Sequence, residues 1–365
     1  MSTLNVRAIE RELTALWKQA GEDDGGVLRA CLLNLVVYSR KRDARELDDL
    51  ISEITKAHPC RAILISADPQ SSESYLRAEV TSRCSLSAAS SKQVCCEQVT
   101  LESGGERINE VPSAVTPLLV SDLPVCLWWR AEPRLGDRLF KRLAGTSDRV
   151  IIDSADFNSP YEDLRTLAAL LRERPLRTAY SDLNWARLTA WRALLAGFYD
   201  VPRYRTLLEQ IDEVVIEYAP PSAGAERISP RALVLAGWLA SRLGWKPKEG
   251  RDRSPSVVRF EAKENDVVVE FRRTESEAIE AGRIALVSLS TAADSTATFN
   301  VKRSADRLRI ETDINIGEQN KIQRVLSYEN HTEAQLIARG IEIQGRDRVF
   351  EEAALAAAEM IGQLH

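Results

Sequence analysis

Histidine is nearly missing from this sequence: His58, His331 and His365 stand far apart among 365 residues. No Cys-x-x-Cys pair accompanies them, so no spacing suited to a zinc site exists and no metal is expected. Glycine-rich fingerprints are missing as well. Neither G-x-G-x-x-G nor G-x-x-x-x-G-K-[ST] occurs, and Gly25-Gly26 and Gly104-Gly105 read as turn glycines. Dinucleotide binding of the usual fingerprint kind is therefore unsupported, and no cofactor is expected. There is no G-x-S-x-G elbow for a serine nucleophile. No apolar run approaches the roughly 18 residues of a membrane span. Met1–Ala20 mixes Arg7, Glu10, Arg11, Glu12 and Lys18 into the apolar pattern, unlike a secretory leader. A cytoplasmic chain with no membrane partner is expected. An excess of one charge is also lacking. Residues 1–220 carry 28 Lys/Arg against 32 Asp/Glu, and residues 221–365 carry 21 against 22. Phosphate neutralisation needs a basic surplus, so nucleic acid is not an expected partner.

What is present is an ordinary globular composition, 44% hydrophobic and 28% charged. The length exceeds what one core usually organises, which predicts two domains. Ala30–Tyr38, Cys60–Ser66, Pro124–Trp129, Arg149–Asp153 and Asp212–Tyr218 read as buried strands. Tyr75–Leu86 and Gln93–Leu101, joined by a short Ser/Ala-rich link, read as an antiparallel hairpin. Helical spacing marks the N-terminal segment from Val6 to Trp17, the stretch after Asp43, Glu106–Val120, the segment opened by Ser159-Pro160, and Asp182–Tyr199. Ala219–Ile228 is rich in Pro, Gly, Ser and Ala and reads as a linker or long loop. Beyond it the period changes to two over Val258/Phe260, Val269/Phe271, Ala297/Phe299/Val301 and Leu308/Ile310/Ile314, between an opening helix and a closing one. The expectation is an α/β domain with a mixed sheet over 1–220. A smaller α+β domain with an antiparallel meander is expected over 221–365.

Several side-chain groups carry possible chemistry, each beside a plainer reading. His58 lies close to Cys60, a spacing that admits a nucleophile and base, but a histidine interacting with a helix C-terminus is the commoner arrangement. Cys84 and Cys95 fall near cross-strand register, which allows a thiol switch; two unpaired thiols are the alternative. Asp153, with nearby Arg149, stands where an α/β sheet places its ligand groups, or caps the following loop. Ser181–Arg192 holds two Trp and two Arg. Arg187 and Trp191 are four apart and able to stack, and Arg and Trp are typical interface anchors. Arg187, Trp191 and Arg192 are the expected partner contacts. Trp128 and Trp129 end an apolar strand and read as structural.

Asp122–Arg130, Asp148–Phe157 and Asp182–Asp200, in that order, resemble the successive motifs of OpcA proteins. Ala30–Ser39, His58–Ile65, Cys96–Glu106 and Gly345–Leu355 fit the same family, and the match is weakest over about 250–330. The resemblance implies a partner, glucose-6-phosphate dehydrogenase, and a role without catalysis. That role is an assembly factor and allosteric activator in the oxidative pentose phosphate pathway, and not an enzyme. It supplies no catalytic residues. Alternatives from the residues themselves are a sugar-phosphate-binding enzyme or sensor with a site near Asp153, and a redox-sensing adaptor acting through Cys84 and Cys95.

Overall fold

The fold comes from a computed structural model that describes the chain except residues 1–5, 24–27, 30, 41–43, 87–92, 174–176, 222–226, 249–253, 275–278, 292–296, 305–308, 318, 328–330 and 365. Helix α1 (Val6–Asp23) buries Ile9 and Leu13. After the short β1 (Leu28–Arg29), β2 (Leu33–Arg40) is buried from Leu33 to Ser39, as a strand covered on both faces must be. Helix α2 (Ala44–Ala57) buries Leu47, Ile51 and Ile54, and β3 (Cys60–Asp68) is again buried almost throughout. β4 (Tyr75–Leu86) and β5 (Gln93–Gly104) pair antiparallel as the pattern predicts. Their Ser/Ala-rich link lies outside the described residues.

The helix expected over Glu106–Val120 is divided into a 3-10 turn at Gly105–Glu110, α3 (Val111–Val115) and a second 3-10 turn at Thr116–Leu118. Pro112 and Pro117 open the later two pieces; proline lacks the N–H that a continuous helix would need there. β6 (Val125–Trp129), α4 (Arg138–Gly145), β7 (Arg149–Ile152), α5 (Pro160–Glu173) and β8 (Ala179–Asp182) follow. The remaining elements are α6 (Leu183–Ala186), α7 (Thr189–Gly197), α8 (Pro202–Glu209), β9 (Glu213–Tyr218), α9 (Pro230–Leu243), β10 (Lys246–Pro247), β11 (Val257–Glu261), β12 (Asp266–Arg273), β13 (Ile284–Thr291), β14 (Ala297–Arg303), β15 (Arg309–Ile316), β16 (Gln319–Ser327), α10 (Glu333–Glu342) and α11 (Arg348–Met360). No helix among the described residues is long and apolar enough to cross a membrane.

The chain forms two units, neither continuous in sequence. Unit 1 is Met1–Asp153, Glu173–Leu183 and Thr332–Asp347; unit 2 is Ser154–Arg172, Asn184–His331 and Arg348–His365.

The sheet of unit 1 has the order β1-β5-β3-β2-β6-β7-β8, with β4 paired to β5. Every pair is parallel except β4 with β5. With the short β1 and the hairpin strand β4 set aside, the parallel strands run third, second, first, fourth, fifth, sixth. That is the doubly wound order of dinucleotide-binding sheets. Helix α10 returns late in the sequence to pack on α2 and β7. It opens with a capping box between Thr332 and Gln335, and Glu342 at its end meets His58 Nε2 at 3.4 Å.

Unit 2 holds a second eight-stranded sheet, β10-β11-β12-β9-β13-β14-β15-β16. The expectation of a smaller, purely antiparallel C-terminal sheet is corrected. β9 sits at its centre, parallel to β12 and antiparallel to β13. The apolar run Val214–Ile216 marks a buried strand but carries no signal of which sheet receives it. Helix α9 is buried from Pro230 to Ala240 and packs on α11. The close approach requires Gly237: a Cβ there would stand 2.7 Å from the Ala357 backbone nitrogen.

Candidate functional site

In unit 1 the chain passes from β2 to β3 on one side and later to β6 on the other. The loops leaving β2 and β6 diverge, and such switch points are where open α/β sheets bind ligands. A cavity of about 760 Å³ occupies this place, lined by the carboxyl ends of β2, β3 and β6. Register sets Tyr38 of β2 beside Trp129 of β6. Their rings stack with centroids 3.8 Å apart and planes 10° from parallel, and Phe140 of α4 meets Trp129 edge-on at 5.0 Å. Alternation sends Trp128 to the other face, where Arg130 lies 5.1 Å over its ring.

The polar groups around this cavity divide into two kinds. Arg40 donates to Glu132 at 3.1 Å, and Asp137 caps α4 by accepting from the Phe140 amide at 3.1 Å. Burial, reinforced by the charge of Asp137 and opposed by Arg40, raises the Tyr38 phenol above its usual range, so it keeps its proton. The second kind has no partner among the described residues. Trp129 is 1% exposed, yet its Nε1–H meets no acceptor. An unmet buried donor costs about 1–3 kcal/mol. The carboxylate of Asp68, the amide of Gln70 and the guanidinium of Arg134 also line the cavity. An acid, an amide and a guanidinium thus converge on one open space, while the indole N–H is itself out of reach of solvent.

The opposite, amino-terminal edge of the same sheet is closed. Arg61, buried, donates to Glu97 at 2.6 Å, to Glu10 at 2.9 Å and to the Leu118 carbonyl at 2.7 Å. Cys60, Cys96 and Cys126 are buried free thiols. Burial raises all three, Cys126 to about 11. Thiols held protonated are poor nucleophiles. His58 faces Glu342, which places it in the docking of α10. No group of three or more His, Cys, Asp or Glu suited to a metal occurs among the described residues.

Of the positions singled out in the sequence, Asp153 is half-buried directly after β7 and has interaction partners. Arg149 serves the framework: it donates to Ser181 Oγ and to the carbonyls of Ile343 and Gly345, each at 2.6 Å. The pair does not line the switch-point cavity. Trp191 is 1% exposed, in the core of unit 2, with the Arg303 guanidinium 5.8 Å from its ring. Arg187 and Arg192 are half-buried. Arg192 lies 3.4 Å over the ring of Trp185, so the stacking partner in this segment is seven residues away rather than four. Asn184 of the same motif is fully buried, donating to Ser154 Oγ at 2.9 Å and accepting from Arg231 Nε at 2.7 Å. Cys84 and Cys95 stand directly across β4 and β5. Cys95 is disulfide-bonded, and the side chain of Cys84 lies outside the described residues. Tyr38, Asp68, Trp129 and Arg134 were not foreseen. The available signal was positional: the first three stand at or next to the carboxyl end of an apolar strand.

Residues 51–169 match a family model described as the glucose-6-phosphate dehydrogenase subunit N-terminal domain, and residues 178–354 match the C-terminal domain of the same subunit. The OxPP cycle protein OpcA of Nostoc punctiforme is 32% identical over 83% of this chain. The protein of that name from Synechocystis is 28% identical over 82%. The chain spans 65% and 63% of the length of these two relatives. Among solved structures, similarity extends to aldose-aldose oxidoreductase from Caulobacter crescentus (11% identity, TM-score 0.45, 91% of this chain and 96% of that one). It extends also to myo-inositol dehydrogenase from Lactobacillus casei (10% identity, TM-score 0.43, 91% and 94%). The expectation of a non-catalytic assembly factor and activator, and of no enzyme, is corrected on the chain's own structure: unit 1 has the strand order and the open switch-point cavity of a ligand-binding sheet. The likeness by itself assigns no activity.

Proposed function

Because the chain belongs to the OpcA family, we propose that it serves the oxidative pentose phosphate pathway as a metabolite-binding subunit, an enzyme or sensor working beside glucose-6-phosphate dehydrogenase in the cytoplasm. The observation that carries this reading is the switch-point cavity with its unmet polar groups. A pocket of this size, with aromatic walls and a few convergent polar groups, suits a small molecule. The association with the dehydrogenase rests on the descriptions of the two family models. Its proposed contacts are Arg187 and Arg192, with buried Trp191 supporting that surface from within. The test combines gel filtration of the chain with the dehydrogenase and thermal melts of the chain alone in the presence of glucose 6-phosphate or NADP. Co-elution that weakens in Arg187→Ala, and a saturable rise in Tm with a metabolite, are expected. No co-elution removes the partner; no shift with either compound removes the site.

A second reading, a redox-sensing adaptor, is favoured by the bonded state of Cys95 opposite Cys84. A disulfide in a reducing compartment is commonly regulatory. Counting thiols with and without reductant tests it, and redox sensitivity that survives Cys84→Ser dismisses it.

A further inference from the structure

The sheet of unit 2 has one face that its helices pack against and one that faces out. On the inner face Phe198, after α7, and Tyr204 of α8 meet Phe299 with ring centroids 5.2 and 5.7 Å away, and Trp245 reaches Phe260 at 6.0 Å. The residues that alternate with these along the strands, such as Leu286, Glu217 and Lys302, are half-buried or exposed on the outer face. We propose that a second copy of this chain covers the outer face, sheet on sheet, about a two-fold axis running along β13. The proposal adds an interaction surface and stands apart from the ligand-binding reading above.

The pattern of charge across the strands selects this occupant. A residue on a two-fold axis meets its own copy, so a charge there would repel itself. The outward residues of β13 are Leu286, Ser288 and Ser290, all half-buried and none charged. Charges begin one strand away on either side. Register sets one row across the face: Arg272 of β12, Glu217 of β9, Leu286 of β13, Lys302 of β14 and Glu311 of β15. Turned about β13, this row lays Glu217 on Lys302 of the second copy, Arg272 on its Glu311, and Leu286 on itself. An axis displaced by half a strand spacing fails. Between β13 and β14 it would set Glu217 against Glu311; between β9 and β13 it would set Arg272 against Lys302. The neighbouring row brings one like pair together, Glu270 and Asp313, but each is already neutralised within its own chain. Glu270 has Arg272 at 2.6 Å, and Asp313 has Lys302 at 2.9 Å and Asn300 at 2.8 Å. A centre without charge inside a charged rim is the usual anatomy of a protein interface.

The size of the face agrees. Strands about 4.8 Å apart, with outward residues about 6.8 Å apart along each, give the run β11-β12-β9-β13-β14-β15-β16 a patch of roughly 700 Å². A stable interface takes about 800 Å² from each partner. Val325 of β16, 46% exposed, lies opposite Glu311 and carries the same row to the sheet edge. An axis along β13 also keeps the strands of the two copies aligned, as stacked sheets prefer.

Sedimentation velocity of the full chain reads the assembly, and a dimer is expected at micromolar concentration. Leu286→Arg, which sets like charges on the axis, should raise its dissociation constant about a hundredfold or more. Glu217→Lys and Lys302→Glu should each weaken the dimer alone. An equal mixture of the two variants should restore it, because both charge pairs across the axis are then opposite in sign. That rescue separates contact between copies from damage to the fold, and it keeps the test valid should Leu286→Arg fail to fold. Ser288→Cys should form a covalent dimer on mild oxidation where the parent chain does not. A monomer at every concentration overturns the proposal, as does a dimer that keeps its affinity in Leu286→Arg and gains nothing from mixing. If the chain is a monomer that binds glucose-6-phosphate dehydrogenase and loses it in Leu286→Arg, the face belongs to that partner and the second copy is excluded.

Discussion

The two edges of the parallel sheet in unit 1 are made from the same strands and differ in what their polar groups find. At the amino edge Arg61 meets two carboxylates and a carbonyl, and the thiols of Cys60, Cys96 and Cys126 are sealed in. At the carboxyl edge a carboxylate, an amide and a guanidinium line open space without partners among the described residues, beside a buried indole N–H that meets no acceptor. Buried polar groups in native proteins are nearly always satisfied, so each exception asks for a cause. Satisfied groups hold a fold together; unsatisfied groups around a cavity are reserved for something that arrives.

The comparison breaks most sharply under substitution. Arg61→Ala takes the guanidinium from buried Glu97 and should lower the unfolding free energy by about 3–5 kcal/mol, read by urea denaturation. A loss under 1 kcal/mol would show the amino edge to be as incidental to stability as a surface. Raising the pH comes next. The Cys126 thiol, pushed to about 11 from its ordinary 9.0, holds its proton more firmly folded than unfolded. Its contribution is intact below pH 9 and is lost as the pH climbs towards 11. Denaturation at pH 8 and pH 10.5 should show that decline, and Cys126→Ala should flatten it. Trp129→Phe keeps the stacked pair and deletes the orphaned donor, so stability by the same denaturation should stay within about 1 kcal/mol of the parent. Asp68→Asn sharpens the contrast with the least structural effect, a stability change of about 0.5 kcal/mol or less.

Much of this fold could be read in advance because the central strands of unit 1 are nearly continuous apolar runs, the later strands alternate, and most helices carry an apolar stripe. Leu33–Ser39 and Val125–Trp129 announce central strands without ambiguity. Strand order is another matter, since it depends on which distant segments pair. Nothing local places β9 between β12 and β13, or tells that β2, β3 and β6 meet at a switch point. The site stayed hidden for the same reason. Tyr38, Asp68 and Trp129 come from three separate strands, and Trp129 reads as the end of an apolar run until its neighbour across the sheet is known. Trp191 carries the reverse lesson. Its place on the stripe with Leu188, Leu195 and Phe198 already signalled burial, and a Trp/Arg composition suggestive of an interface pulled the other way.

The most direct measurement is calorimetric titration of the full chain with glucose 6-phosphate and with NADP, beside Asp68→Asn at the rim of the cavity. If the carboxyl edge is reserved for a ligand, one of the two compounds binds saturably and binds more weakly in the variant. If neither binds, or binding is indifferent to the substitution, the carboxyl edge holds no such ligand and the contrast between the two edges loses its meaning.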